Sequence, residues 1–152
     1  MLSIGKCRSR DYYIDLSKED YYLKGGEPPG RWYGRGAELL GLKGEVERPA
    51  FEKLWDGYSP EGKALVKNAG QNRPYKHEDG SLRWKQHAWD FTFSAPKSVS
   101  VLWGMVEPET RKQIQGAHDQ AVRTALDYLE REAGYIRRGQ GGETLARADM
   151  VF

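Results

Sequence analysis

The longest regular pattern of apolar positions lies in the last third of the chain. Between Glu109 and Ala133, apolar side chains recur every three or four residues, which is the spacing of one face of an α-helix. They are Ile114, Ala117, Ala121, Val122, Ala125, Leu126 and Leu129. Gly134 follows, and glycine is common just beyond the last turn of a helix. The pattern therefore predicts a long amphipathic helix over residues 109–133.

Shorter segments have the alternation or the apolar content of β-strands. Residues 82–93 are predicted to be extended, with Asp90 and Thr92 on one face of the strand. Two polar turns, at residues 78–81 and 139–142, predict hairpins. Further strands are predicted over residues 2–7, 135–138 and 143–152.

Glycine and proline mark most of the remaining boundaries. The run over residues 25–30 predicts a loop, after which a short helix ends at Gly41. A second short helix is predicted over residues 48–57, and residues 58–81 form a long polar excursion. Pro96 predicts the start of another helix. The chain is thus predicted to mix short helices with strands.

The composition describes one polar, globular domain. The chain has 152 residues, of which 38% are hydrophobic and 30% are charged. No segment approaches the roughly 18 consecutive apolar residues of a membrane span, and the single cysteine, Cys7, predicts a reducing cytosol. The net charge is only +2, but residues 63–85 carry six bases and two acids. This segment would favour a phosphate backbone, although an ordinary solvated loop explains the charge equally well.

Two tyrosine pairs, Tyr12-Tyr13 and Tyr21-Tyr22, stand in a strongly charged segment near the start of the chain. Doubled tyrosines among acids and bases do not form the apolar stripe of a core helix. A phenol can act as a covalent nucleophile when a base or a cation helps to remove its proton. A helix break near Leu16-Ser17 would let both pairs approach one place.

Asp90 is the candidate base for such a phenol. It is predicted to point away from its phenylalanine neighbours, and it precedes a helix start at residues 94–98, where backbone N–H groups favour an anion such as phosphate. Lys97 would add positive charge at the same place. The alternative is that Asp90 bonds neighbouring backbone groups and that Lys97 is simply solvated.

Aromatic side chains lie beside bases in several polar segments, and this mixture can stack nucleic-acid bases while it holds phosphates. Ordinary half-buried aromatic packing explains each of them about as well. The DNA-binding candidates are Arg31, Trp32, Arg35, Arg73, Tyr75, Lys76, Arg83 and Trp84. The three histidines, His77, His87 and His118, lack metal-ligand spacing, so no metal site is assigned within the chain.

Three segments that follow the tyrosine pairs resemble the N-terminal part of a conjugative relaxase of the TrwC/TraI (MobF) type. They are residues 31–44, residues 90–100 with the sequence Asp-Phe-Thr-Phe-Ser-Ala-Pro-Lys-Ser-Val-Ser, and residues 117–122. The resemblance runs over residues 1–152. It implies an α+β fold of the HUH type, in which helices back an antiparallel sheet. The chain would be the N-terminal portion of a single relaxase domain and would end before its last elements.

The resemblance also implies an activity, the site- and strand-specific nicking and rejoining of DNA at a plasmid transfer origin. Tyr12 would attack first and Tyr21 would serve the second transfer, while Asp90 would orient or deprotonate the nucleophile. The accessory candidates are Tyr13, Tyr22 and Lys97. The implied partners are single-stranded DNA of the transfer origin and relaxosome proteins, in a bacterial cytoplasm.

Relaxases of this type also hold a divalent metal, expected to be Mg²⁺ or Mn²⁺, with three histidines that include a His-x-His pair. In the family these histidines follow a strand that matches residues 143–152, so the resemblance places them after the end of this chain. The ligands are therefore expected to be absent from it. A single-stranded DNA-binding module without nicking activity is the alternative function.

Overall fold

The structure is a computed structural model, and it describes most of the chain. The described residues are 1–7, 9–16, 30–71, 73–77, 79–84, 86–139 and 142–152. The helices are α1 (Arg10–Leu16), α2 (Arg35–Leu39), α3 (Arg48–Trp55), α4 (Lys97–Met105) and α5 (Pro108–Ala133). The strands are β1 (Leu2–Lys6), β2 (Tyr75–Lys76), β3 (Leu82–Arg83), β4 (Trp89–Phe93), β5 (Tyr135–Arg138) and β6 (Thr144–Arg147).

The strands form three small sheets of two strands each, β1 with β4, β2 with β3 and β5 with β6. In the β5–β6 hairpin, Tyr135 lies opposite Arg147, and in the β2–β3 hairpin Tyr75 lies opposite Arg83. The start of β1 lies beside the end of β4, since the Ser94 N–H donates to the Met1 carbonyl at 2.9 Å. The predicted α+β class and its antiparallel pairing are confirmed, and so is the long helix α5.

The contacts divide the chain into two compact units. The first unit comprises residues 1–3, 33–41 and 92–152, and the second comprises residues 4–32 and 42–91. No helix in the described ranges is long and apolar enough to cross a membrane.

In the first unit, the end of the chain is bonded to the segment that begins α2. The Tyr33 N–H donates to the Phe152 carbonyl at 2.9 Å, and the Phe152 N–H donates back to the Tyr33 carbonyl at 2.8 Å. The Glu130 carboxylate accepts the backbone N–H of Arg35 at 3.1 Å and that of Met150 at 2.8 Å. One carboxylate of α5 therefore joins two segments that are distant in sequence.

The segment after β6 corrects one prediction, because the strand predicted over residues 143–152 ends at Arg147. Beyond β6, the Ala148 N–H donates to the Gly134 carbonyl, and Met150 bonds to Glu130 and to Gly36. The backbone groups of this segment are thus bonded to Glu130 and Gly134 at the end of α5, and to Tyr33 and Gly36 around the start of α2.

The segment predicted as one extended run over residues 82–93 is a second correction. It contains β3 and β4, and the described residues between them are not in a strand. There the His87 ring stacks on Trp55 with centroids 5.4 Å apart, and the Gln86 side chain bonds the Ala88 carbonyl. The Ala88 carbonyl also accepts the Cys7 N–H at 3.2 Å, so this stretch is bonded to the residue after β1 without forming a continuous strand with β3.

Gly36 shows how closely α2 approaches the end of the chain, and this approach predicts a stability effect. Its N–H donates to the Met150 carbonyl at 2.7 Å, and an added Cβ would lie 2.6 Å from that oxygen. We expect Gly36→Ala to lower the free energy of unfolding by about 3 kcal/mol, because backbone on both sides must shift. Urea titration followed by circular dichroism measures the change.

Gly116, in the interior of α5, is the matched control. An added Cβ there meets nothing within 4 Å. Gly116→Ala should therefore stabilise the protein by about 0.5–1 kcal/mol through the gain in helix propensity. Equal and small shifts for the two alanine variants would contradict the close approach at Gly36.

Candidate active site

Helix α1 presents the first tyrosine pair in two different environments. The helix begins after Ser9, whose hydroxyl accepts the Tyr12 N–H at 3.3 Å. Successive residues of a helix point about 100° apart, so Tyr12 and Tyr13 face different directions. Tyr12 is 50% exposed, whereas the Tyr13 hydroxyl is part-buried. Their rings meet edge to face, with centroids 5.1 Å apart and an interplanar angle of 88°.

Strand β4 brings Asp90 to the second of these tyrosines. The Tyr13 hydroxyl donates a hydrogen bond to Asp90 Oδ2 at 3.0 Å, across 77 residues of sequence. Asp90 was predicted to act as a base for a phenol, and the structure shows it hydrogen-bonded to the phenol of Tyr13. The sequence had predicted Tyr12 as that phenol, and the role of Asp90 as the base for Tyr12 stays a prediction.

The electrostatics around Tyr13 keep its phenol protonated. Burial raises the pKa of Tyr13 far above the ordinary value for tyrosine, and hydrogen bonds with Cys7 and Asp90 raise it further. Burial also raises the pKa of the Cys7 thiol, which a hydrogen bond with Tyr13 partly offsets and the Asp90 charge reinforces. Ionisation is disfavoured in both groups because each charge would be desolvated and would face a carboxylate. Tyr13 is therefore a hydrogen-bond donor at neutral pH.

An aromatic cluster in α3 and the segment before β4 packs against this tyrosine. Trp55 lies 6.1 Å from Tyr13 and 5.9 Å from Phe51, measured between ring centroids. His87 stacks on Trp55 at an interplanar angle of 6°, and its Nδ1 lies 2.8 Å from the Trp55 carbonyl oxygen. The sequence analysis had rejected His87 as a metal ligand and had assigned it no other role. Phe51 and Trp55, four residues apart on a predicted helix, were the available signal for the cluster.

A polar cleft of about 900 Å³ opens in the second unit beside α1. Its basic lining residues are Lys6, Arg10 and Arg83, and its aromatic and imidazole lining residues are Trp55, Tyr75, Trp84 and His87. Arg10 is paired with Asp56 at 3.5 Å, and Arg83 with Asp79 at 3.0 Å. The acids Asp11 and Asp56 also line the cleft, so its three bases exceed its acids by one. Its exposed ring surface comes from Tyr75 and Trp84, which are 54% and 64% exposed.

The structure gathers part of the predicted DNA-binding set. Tyr75, Arg83 and Trp84 line the cleft, and Arg73 lines a smaller pocket of about 200 Å³ together with Tyr75. Lys76 is exposed in β2. These residues stay candidates for contact with DNA.

The other candidates lie elsewhere or outside the described residues. Arg31 is exposed, and its backbone forms an isolated antiparallel β-bridge with Glu45. Arg35 forms an ion pair with Asp149 at 3.3 Å. Trp32 is half-buried, Lys97 is exposed at the start of α4, and the second tyrosine pair, Tyr21-Tyr22, lies outside the described residues. The role predicted for that pair stays a prediction.

The described residues do not offer a metal-binding cluster. In the described ranges, no three His, Cys, Asp or Glu side chains lie close enough together to hold a metal ion. The candidate site therefore consists of a half-exposed phenol, a phenol bonded to a carboxylate, and an aromatic cleft lined by three bases and two acids. Such an arrangement can present a nucleophile to an anionic strand.

Comparison with known proteins places this geometry in context. A family model described as TrwC relaxase matches residues 7–151. The multifunctional conjugation protein TraI of Escherichia coli strain K12 is 40% identical over 160 residues, which cover 100% of this chain and 8% of TraI. A second Escherichia coli TraI has the same identity and coverage.

Solved structures of a conjugative relaxase have the same fold. The metal-free structure of TrwC in complex with OriT DNA superposes with a TM-score of 0.67 at 32% identity, covering 99% of this chain and 48% of that chain. The metal-bound complex superposes with a TM-score of 0.66 at 32% identity, covering 99% of this chain and 48% of that chain. TrwC with a 27-mer DNA comprising the recognition hairpin and the cleavage site superposes with a TM-score of 0.65 at 30% identity. That match covers 99% of this chain and 47% of that chain. The chain thus spans about half of the solved TrwC chains and a small fraction of TraI.

Proposed function

Since the chain belongs to the TrwC relaxase family, we propose that it is the N-terminal portion of a single relaxase domain, one that nicks and rejoins a DNA strand at a plasmid transfer origin. The observation that carries the proposal is the half-exposed Tyr12 on α1, directly beside the Tyr13–Asp90 hydrogen bond. The TrwC structures that it resembles hold OriT DNA, which supports single-stranded DNA of a transfer origin as the partner. The setting would be the bacterial cytoplasm, where relaxosome proteins would join the same DNA.

The proposed reaction is a transesterification at one phosphodiester. The Tyr12 hydroxyl oxygen attacks the phosphorus, the bond from phosphorus to O3′ breaks, and the phosphate of the 5′ end remains on the tyrosine. Asp90 accepts the phenolic proton and the departing O3′ takes up a proton from solvent water, so a free 3′ hydroxyl is left. One phosphodiester is exchanged for another, and the reverse attack by a 3′ hydroxyl rejoins the strand. Tyr21 would provide the second nucleophile.

The cleft in the second unit would hold the strand next to α1. Arg83 and Lys6 offer positive charge to phosphates, and Trp84 and Tyr75 offer ring faces on which bases can stack. Stacking does not depend strongly on base identity, whereas charge contacts depend on salt. The cleft would therefore contribute affinity for single strands in general.

We propose a divalent cation, Mg²⁺ or Mn²⁺, as the cofactor, and such an ion would supply Lewis-acid chemistry when bound. Metal-bound and copper-bound structures of TrwC support a metal in the family. The described residues of this chain do not fit such an ion, because they form no cluster of three ligands.

Covalent capture of an oligonucleotide tests the proposed function. The chain, expressed with any sequence that its gene encodes beyond it, is incubated with a labelled single-stranded transfer-origin oligonucleotide and Mg²⁺ or Mn²⁺. We expect an adduct that survives denaturing electrophoresis, together with a free 3′ hydroxyl fragment, and peptide mapping should place the adduct on Tyr12. Binding of the oligonucleotide without any adduct would overturn the nicking function and favour the DNA-binding module.

Two alanine variants separate charge from stacking in the cleft. Arg83→Ala should lower the affinity for single-stranded DNA and reduce the slope of log affinity against log salt by about 0.7, the value for one phosphate contact. Trp84→Ala should weaken binding by about 1–3 kcal/mol and leave the slope unchanged. Fluorescence anisotropy over a salt series measures both, with Lys112→Ala on the exposed side of α5 as the control. Identical slopes for Arg83→Ala and the wild type would remove Arg83 from the strand path.

A further inference from the structure

Tyr13 is the most constrained phenol in the described part of the site. Its hydroxyl donates to Asp90 Oδ2 at 3.0 Å, and its ring centroid lies 5.1 Å from that of Tyr12 and 6.1 Å from that of Trp55. It is thus in contact with Tyr12 and Asp90, the proposed first nucleophile and its base.

The surroundings of Tyr13 are unfavourable for a nucleophile. Attack requires the phenol to lose its proton and to approach a phosphate, yet its oxygen is bonded to a carboxylate. A phenolate there would face the negative charge of Asp90 at hydrogen-bond distance, and an incoming phosphate would be repelled by the same charge. Burial acts in the same direction, since it raises the pKa of Tyr13. Tyr12 next to it is half exposed, so only the first phenol of the pair is presented to a strand.

The surroundings are favourable for positioning. A hydrogen bond from a neutral phenol to a carboxylate is charge-assisted and holds the carboxylate in one orientation. The edge-to-face contact with the Tyr12 ring, at 88°, restricts the neighbouring ring at the same time. Through Trp55 the phenol is braced against α3, which limits its own rotation.

We infer that Tyr13 is a positioning residue: its hydroxyl anchors the Asp90 carboxylate and its ring orients Tyr12, while Tyr13 itself does not attack DNA. The inference rests on the proposed function and adds to it a separate task for each member of the first tyrosine pair. Tyr12 acts as the nucleophile, and Tyr13 fixes the orientations of Asp90, the base, and of Tyr12.

The test is Tyr13→Phe, which keeps the ring and removes the hydroxyl. At saturating transfer-origin oligonucleotide, the single-turnover rate of adduct formation should fall about 10- to 100-fold, since a misplaced carboxylate loses much of its effect. The dissociation constant for the oligonucleotide should not change, because the lost hydroxyl faces Asp90. Tyr128→Phe removes the hydroxyl of another tyrosine, one that is 57% exposed on α5, and should match the wild type.

A double-mutant cycle distinguishes positioning from a general loss of structure. If Tyr13 acts through Asp90, then Tyr13→Phe should have no further effect on the adduct rate in an Asp90→Asn background. If the fold-decreases in adduct rate of the two single variants multiply in the double variant, the two residues act independently and the inference is overturned. A further check is Tyr13→His, which restores a hydrogen-bond donor and should recover part of the adduct rate that Tyr13→Phe loses.

The outcomes separate this inference from the proposed function. Wild-type adduct on Tyr12 with an unchanged rate in Tyr13→Phe would overturn the inference and leave the function standing. Mapping of the wild-type adduct to Tyr13 would also overturn it. If the wild type forms no adduct under any of these conditions, the proposed function fails and the inference falls with it.

Discussion

Tyr12→Phe should abolish covalent adduct formation, with a decrease of at least about 10³-fold in the rate of strand cleavage, because the attacking oxygen is removed. Binding of the oligonucleotide should be nearly unchanged, since the ring and its contact with Tyr13 remain. The fold should be unaffected, within about 0.5 kcal/mol, because Tyr12 is half exposed and its backbone carries the contact with Ser9. Quantitative electrophoresis of the adduct and anisotropy of the bound oligonucleotide measure the two effects separately.

The tyrosine variants provide their own controls for this result. Tyr128→Phe should form the adduct at the wild-type rate, and Tyr13→Phe should form it slowly but on the same residue. An adduct that persists in Tyr12→Phe would contradict the assignment of Tyr12 as the first nucleophile. Its mapped position would then show which phenol takes that role.

The local elements of this fold could be predicted well from the sequence. Helix α5 follows from apolar residues at helical spacing, and Gly134 marks its end. The β5–β6 hairpin follows from two short strands around a glycine-rich turn. Each of these depends on residues close together in the chain, where periodicity and turn chemistry carry the signal.

The two wrong strand predictions, over residues 82–93 and 143–152, concern segments whose contacts are made with distant parts of the chain. Before β4, the His87 ring stacks on Trp55, which is 32 residues away in the chain, and the Ala88 carbonyl accepts the Cys7 N–H. The end of β6 depends on Glu130 and Gly36, which take up the backbone groups of Met150. No pattern within either segment reports these partners, because the competing contacts are made across the fold.

In the candidate site, too, local features could be predicted from the sequence, whereas contacts between distant segments could not. The residue types and the tyrosine pairs are visible in the sequence, and the strand alternation places Asp90 on one face of β4. Which phenol meets the carboxylate is decided by the helix phase of α1 against β4, across 77 residues. The sequence therefore predicted the groups of the candidate site, whose roles stay predictions. The structure adds that Tyr12 is half exposed and that Tyr13 is hydrogen-bonded to Asp90.

Asp90→Asn should lower the rate of adduct formation by about 10²–10⁴-fold, which is the usual contribution of a positioned general base. Asparagine keeps the shape of the side chain and can still accept the Tyr13 hydroxyl, but it cannot take up the phenolic proton at neutral pH. Affinity for the oligonucleotide should stay equal or rise slightly, because a negative charge near an anionic strand is removed.

Glu38→Gln on the exposed surface of α2 removes the same charge without a change near the phenols, and it should react at the wild-type rate. A slow variant at Glu38 would mean that net charge, and not proton transfer, governs the reaction. If Asp90→Asn instead retains full activity, another group must accept the proton from Tyr12. The Tyr13–Asp90 hydrogen bond would then be a packing feature of α1 against β4, and the cleft would hold a nucleophile whose base lies elsewhere.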